Sequence, residues 1–97
     1  MEVILLRGAE EDLWSAWEYY EQIQPGLGDG FEAEVQRTLA QIADHPESAP
    51  LYAGKFRRIL VRRFKHGIFY RVCRQRIVVT AILGLRQSTE TIRRRLK

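Results

Sequence analysis

Four arginines stand as two adjacent pairs in the middle of the chain: Arg57, Arg58, Arg62 and Arg63. They fall in a run of β-branched and aromatic residues typical of a strand, whose side chains alternate between two faces. This spacing predicts Arg58 and Arg62 on one face, and Arg57 and Arg63 on the other. A guanidinium binds phosphate or carboxylate through two parallel hydrogen bonds. The strand could therefore hold a phosphodiester backbone or a partner's carboxylates, although such charge also protects an edge strand from aggregation.

Other kinds of active site are poorly supported by the sequence. The two histidines and the single cysteine lie in three different predicted elements without the spacing of metal ligands, so no metal and no cofactor are expected. No serine has a histidine placed near it by the sequence. The glycines between residues 26 and 30 join two predicted helices rather than a strand and a helix, which argues against a phosphate-binding loop.

Charge is divided unevenly along the chain. Residues 1–54 carry two basic and eleven acidic residues, whereas residues 55–97 carry fourteen basic residues and one acidic residue. The net charges of the two parts are therefore −9 and +13. This asymmetry favours a polyanion or an acidic protein as a partner of the C-terminal part. The alternative is that the acidic and basic parts neutralise each other within the fold.

Three short β runs form the predicted frame: Phe56–Phe64, Ile68–Cys73 and Ile77–Leu85. Short polar breaks separate them, which predicts a meander of three antiparallel strands. Residues 2–6 predict a fourth strand that joins the sheet. The last run is apolar on both faces, so it should lie centrally, and Arg86 at its end is placed to reach a ligand.

Two amphipathic helices should cover this sheet. Apolar residues recur at helical spacing over residues 9–23 and again from Asp29 or Gly30 to Asp44. Asp29 with Glu32 resembles a capping box at the start of the second helix. The short turn between them predicts a helical hairpin. Residues 46–54 predict a loop, and residues 89–96 predict a short helix or a frayed basic tail.

The expected fold is therefore α+β: a two-helix hairpin packed on a small, mainly antiparallel four-stranded sheet in the order β-α-α-β-β-β, followed by a short C-terminal helix or tail. At this length residues 1–97 are expected to form one domain. The helical spacing places Trp14, Trp17 and Tyr20 in the core, with Tyr19 facing away. Cys73 is expected to be a buried thiol, which suits a reducing cytoplasm. No signal peptide and no membrane span are expected.

Four stretches, in order, carry a resemblance to a known family. They read DLWSAWEYYEQIQPGLGDGFEAEV, IADHP, FRRILVRRFKHGIFYRV and IVVTAILGLR. Over nearly its whole length the chain resembles the RelE/ParE superfamily of toxins from type II toxin–antitoxin systems, also called plasmid stabilisation proteins. The resemblance implies helices packed on a small antiparallel sheet, and it implies a cognate antitoxin as partner. The antitoxin's C-terminal segment would wrap the toxin and its N-terminal part would bind DNA, so operator DNA is expected to be contacted only through the antitoxin.

Members of this superfamily differ in their target. RelE-like members cleave messenger RNA on the ribosome without a metal, and Arg58 and Arg86 match basic positions that would stabilise the phosphorane. However, Gly67 replaces an expected arginine, Leu60 a second strand lysine and Ile92 an approximately placed tyrosine, so no acid or base is evident. ParE-like members poison DNA gyrase and need only a binding surface, and the overall pattern favours them.

The resemblance thus implies growth inhibition through DNA gyrase. The alternatives are a ribosome-dependent ribonuclease, a relative of the toxins that has lost its activity, and a basic nucleic-acid-binding module without toxicity. The residues expected to bind the target or nucleic acid are the other arginines of the strand and the tail: Arg57, Arg62, Arg63, Arg93 and Arg94.

Overall fold

A computed structural model describes the whole chain, residues 1–97. Three helices and five strands follow one another in this order: β1 (Glu2–Leu5), α1 (Arg7–Ile23), α2 (Leu27–Asp44), β2 (Leu51–Ala53), β3 (Phe56–Leu60), β4 (His66–Cys73), β5 (Arg76–Gly84) and α3 (Thr89–Arg95). The strands form one mixed sheet in the spatial order β1-β5-β4-β3-β2. The α+β class and the helical hairpin are confirmed, but the sheet has five strands rather than the predicted four.

The additional strand is β2, which lies in the segment predicted to be a loop. Leu51 pairs with Arg57 and Ala53 with Phe56, in an irregular antiparallel register. The strand has only three residues and is flanked by Pro50 and Gly54, so its composition is that of a turn. Pairing with β3, rather than any local preference, makes it a strand.

The other strands follow the predicted arrangement with two differences. The strands β3, β4 and β5 form the expected antiparallel meander. The first strand joins this sheet as predicted, but it runs parallel to β5, with Val3 opposite Ile77. The third strand ends at Leu60 instead of Phe64, because buried Val61 bonds through its N–H to the carbonyl of His66 and begins the connection to β4.

The helical hairpin covers one face of the sheet and forms the larger part of the core. Phe31 and Val35 of α2 are fully buried, as is Tyr70 of β4. Burial of large apolar side chains of this kind contributes roughly 1.5–3 kcal/mol each. On the opposite face α3 forms a second, smaller cluster, whose buried members are Phe69, Ala81, Leu83, Ile92 and Leu96.

The second helix begins at Leu27, before the predicted start, and a carboxylate from α1 caps it. Oε1 of Glu21 accepts hydrogen bonds from the backbone N–H groups of Gly26, Gly28 and Asp29 at 2.9, 2.8 and 3.3 Å. These N–H groups would otherwise lack a partner at a helix start. The predicted capping box does not form, because the Asp29 side chain accepts a hydrogen bond from Nε1 of Trp17 instead.

The C-terminal segment is a helix, which settles the choice between helix and frayed tail. The Ser88 hydroxyl caps it by accepting from the N–H of Thr91. Arg95 donates to both oxygens of Asp12 on α1, at 3.1 and 2.8 Å. Asp12 also accepts from the N–H of Ile82 on β5, beyond the end of β1. One carboxylate therefore joins α1, β5 and α3.

Some expectations about burial are wrong. Trp14 is 50% exposed on the outer face of α1, although it was expected in the core. Cys73 is half-buried rather than fully buried, because it lies at the end of β4 beside the turn. Tyr19 faces away from the core as predicted. No helix of the chain combines the length and the apolar composition that a membrane span requires.

Candidate functional site

Arg57 has a structural role in the fold. Its Nη1 donates to the backbone carbonyls of Glu47 and Ala49, at 3.1 and 2.6 Å. It lies opposite Tyr70, whose hydroxyl donates to the carbonyl of Pro46 at 2.8 Å. Both side chains hold the segment that follows α2 against the sheet. One of the three guanidinium nitrogens of Arg57 is thus engaged within the fold.

Arg58 lies on the opposite face, as the strand alternation predicts. It is directly opposite Phe69, a member of the cluster beneath α3. Its guanidinium carbon is 5.0 Å from the centre of the Tyr52 ring, within the range of a cation–π contact. Its aliphatic stem crosses Gly67, where an added Cβ would be only 3.1 Å from Cγ of Arg58. An added Cβ at position 67 would therefore require the stem of Arg58 to shift by a few tenths of an ångström.

Arg62 and Arg63 lie in the connection after β3, so the strand alternation predicted for them is wrong. Arg63 has a left-handed backbone with φ of 72°. Its Nη1 is 3.7 Å from Oε2 of Glu34, a residue that is only 6% exposed. Arg37 donates to the same carboxylate at 3.2 Å, and this hydrogen bond holds the pKa of Glu34 below its usual value. Arg63 is thus partly neutralised, whereas Arg62 has no ion pair.

A cationic groove opens on the face of the sheet that carries α3. We call it the α3-side groove; it has a volume of about 640 Å³ and contains no acidic residue. Leu6, Phe56 and Leu96 provide apolar surface. Its charged side chains are Lys55, Arg71, Arg93 and Lys97. Of the two predicted tail arginines, Arg93 lines this groove, whereas Arg94 forms an ion pair with Glu90 at 3.0 Å.

A second cationic surface lies between the end of α1 and the connection from β3 to β4. We call it the hairpin-side cleft; its volume is about 400 Å³. The Tyr20 hydroxyl and Nδ1 of His66 are 3.1 Å apart and share a hydrogen bond. Burial raises the pKa of Tyr20 and lowers that of His66, which favours the neutral form of both. The lining residues are Tyr19, Tyr20, Ile23, Leu27, Arg63, Phe64, Lys65, His66, Gly84 and Arg86.

The two arginines proposed for phosphorane stabilisation have different immediate neighbours. Arg58 packs on Tyr52 beside the α3 cluster, whereas Arg86 lines the hairpin-side cleft with Tyr20 and His66. The pairing of Tyr20 with His66 was missed because 46 residues separate them. Arg71 was also missed, although its strand alternation with Phe69 places it on the α3 face.

Ion pairs neutralise only a small part of the basic C-terminal region. Within residues 55–97, four of the fourteen basic residues form ion pairs: Arg63, Arg76, Arg94 and Arg95. The other ten have no ion pair within the chain. Internal neutralisation therefore does not account for the charge asymmetry, and the excess positive charge is available to a partner.

These features define a small α+β protein in which a helical hairpin covers one face of a mixed sheet and a cationic groove opens on the other. A family model described as "ParE toxin of type II toxin-antitoxin system, parDE" matches residues 3–88. The chain belongs to this family of toxins, and the predicted relation to the RelE/ParE superfamily is confirmed.

A solved structure supports the fold. The structure described as "Chromosomal ParDE TA system from P. aeruginosa" superposes with a TM-score of 0.66 and 18% sequence identity. The match covers 87% of this chain and 95% of the other. At this identity the likeness shows the fold alone. No curated protein sequence matches the chain at a significant level.

Proposed function

We propose that this toxin arrests growth by inhibiting DNA gyrase, and that a cognate antitoxin neutralises it. The observation that carries the proposal is the α3-side groove, in which four cations and no carboxylate surround apolar side chains. Such a surface suits a protein–DNA complex, which offers both phosphates and protein side chains. Inhibition by binding requires no acid or base. Membership of the ParE family supports the same target.

A RelE-like ribonuclease is the second candidate function, because of where the arginines lie. Cleavage of a phosphodiester needs its cations around a single phosphorane. Arg58 is stacked on Tyr52, whereas Arg86 lines the hairpin-side cleft. The two arginines that the ribonuclease hypothesis requires thus have separate partners within the fold, which makes this function the second candidate.

The α3-side groove also suits the antitoxin. An acidic amphipathic segment could place apolar side chains on Leu6, Phe56 and Leu96 and carboxylates beside the surrounding cations. Binding there would cover the surface proposed for gyrase. Competition between the antitoxin and gyrase for this groove would be sufficient to explain neutralisation.

A supercoiling assay with purified gyrase tests the proposal. The wild-type protein is expected to inhibit supercoiling of relaxed plasmid DNA. The double variant Arg71→Gln/Arg93→Gln should inhibit at least about tenfold more weakly, because each charged contact contributes about 1.5–3 kcal/mol. The matched control is Arg7→Gln/Arg76→Gln, which removes the same charge from exposed positions outside the groove.

The control variant should retain the potency of the wild type. Equal weakening by both double variants would show that only net charge matters and would contradict a specific groove. Cleavage of messenger RNA by the wild type on translating ribosomes, without an effect on gyrase, would replace the proposal by the ribonuclease.

A further inference from the structure

The hairpin-side cleft combines an exposed aromatic ring with cations. Tyr19 is 60% exposed, and its ring stands edge-on to that of Tyr20, with 5.2 Å between centroids and 73° between planes. Tyr20 is fixed in turn by contacts with Phe31 and Phe64. The exposed tyrosine is thus held against a rigid aromatic cluster, and it offers a ring to a planar ligand.

Three cations accompany this ring: Arg63, Lys65 and Arg86. Lys65 and Arg86 form no ion pair within the chain, and Arg63 has only the 3.7 Å contact with Glu34. No carboxylate lines the cleft. The nearby Glu21 carboxylate is occupied by the N–H groups at the start of α2. The electrostatics of the cleft therefore select an anion.

We propose that the hairpin-side cleft binds a nucleotide, with the phosphate at Lys65 and Arg86 and the base stacked on Tyr19. Cations that bind the backbone beside an aromatic ring that stacks on a base are the usual means of holding a single-stranded nucleic acid. The hydrogen-bonded pair of Tyr20 and His66 forms a polar wall of the same cleft. Three cations also suit a doubly charged phosphate better than a single carboxylate.

This site is separate from the one proposed for gyrase. The hairpin-side cleft and the α3-side groove have no lining residue in common. Either proposal can consequently fail while the other holds. The nucleotide could be free or part of a single strand, since both present an anionic phosphate and a base.

Titration calorimetry at low salt tests the proposal with adenosine 5′-monophosphate, inorganic phosphate and a short single strand of thymidylates as separate probes. Arg86→Gln should weaken nucleotide binding at least about tenfold through the lost charged contact. Tyr19→Ala should weaken it at least about fivefold through lost stacking. Inorganic phosphate should bind more weakly than the nucleotide.

Two matched variants serve as controls. Arg76→Gln removes the same charge from an exposed position outside both the cleft and the α3-side groove, and Trp14→Ala truncates an exposed aromatic residue elsewhere on α1. Both should bind the probes like the wild type. Binding of the monophosphate alone would identify a free nucleotide as ligand, and binding of the single strand only would identify a nucleic acid.

Several results would overturn the proposal. Equal effects of Arg86→Gln and Arg76→Gln would show that the binding depends only on net charge. Equal affinity for inorganic phosphate and nucleotide would show that the base is not held. Binding of polyglutamate in the cleft, with no binding of either nucleotide probe, would show that the cleft recognises an acidic peptide instead.

Discussion

His66 is a half-buried imidazole whose environment favours the neutral form. Burial lowers its pKa, whereas the charge of Asp12 acts in the opposite direction but more weakly. Nδ1 also shares a hydrogen bond with the Tyr20 hydroxyl, at 3.1 Å. Protonation of His66 is thus linked to the stability of the fold.

The pH dependence of stability follows from this shift. With a lowered pKa in the folded state, the unfolded chain binds a proton first as the pH falls. The free energy of unfolding should therefore decrease as the pH falls below about 6.5, the usual pKa of histidine. Urea unfolding at a series of pH values measures this decrease.

Two substitutions assign the decrease to a residue. His66→Gln should reduce the change in the free energy of unfolding between pH 7 and pH 5. His45→Gln, at an exposed position, should leave this change as in the wild type. If the free energy of unfolding of His66→Gln varied with pH as in the wild type, other groups would cause the pH dependence.

The positions of the individual arginines could be predicted only in part from the sequence. The alternation of side chains along a strand correctly separated Arg57 from Arg58. It failed for Arg62 and Arg63 because Val61 and Phe64 turn inward and anchor the connection between them. The hydrogen bonds from Arg57 to the carbonyls of residues 47 and 49 depend on tertiary folding, so no local sequence pattern predicts them.

The start of α2 is an element in which two glycines have opposite structural roles. A Cβ on Gly28 would lie 2.5 Å from the carbonyl oxygen of Trp17 and 2.6 Å from Cγ of Glu21. A Cβ on Gly30 would have no atom within 4 Å. The first glycine lets the two helices approach closely, and the second has no such role.

Alanine substitutions should therefore change stability in opposite directions. Gly28→Ala should lower the free energy of unfolding by about 1–3 kcal/mol, because the backbone of α1 must move. Gly30→Ala should raise it by about 0.5–1 kcal/mol, since alanine reduces the entropy of the unfolded chain and favours a helix. Chemical denaturation of both variants measures the difference. Destabilisation by both substitutions would contradict the close approach at Gly28 as the distinguishing feature.

Elements with strong periodicity were predicted well, and those made by tertiary pairing were not. Both long helices and the meander follow directly from apolar spacing. The strand β2 was missed because its three residues pair irregularly between a proline and a glycine. The cap of α2 was assigned to Asp29 on local grounds, whereas Glu21 provides it across the hairpin. A carboxylate on another helix cannot be recognised as a cap from the spacing within one helix.

Across the whole molecule, the acidic and basic parts of the sequence form different surfaces of the fold. The acidic residues lie mainly on the helical hairpin, and ten of the basic residues in the C-terminal region remain without an ion pair. The sequence indicated the excess of charge but not its distribution between a groove and a cleft. The α3-side groove depends on α3, which Asp12 and Arg95 hold against the sheet.

The most direct test of the proposed function is induction of the toxin in a host that lacks its antitoxin, with growth, DNA supercoiling and messenger RNA integrity followed together. The account predicts growth arrest with relaxed or broken DNA while messages remain intact. It also predicts weaker arrest by Arg71→Gln/Arg93→Gln at equal protein levels. Growth arrest with cleaved messages and normal supercoiling would contradict inhibition of gyrase.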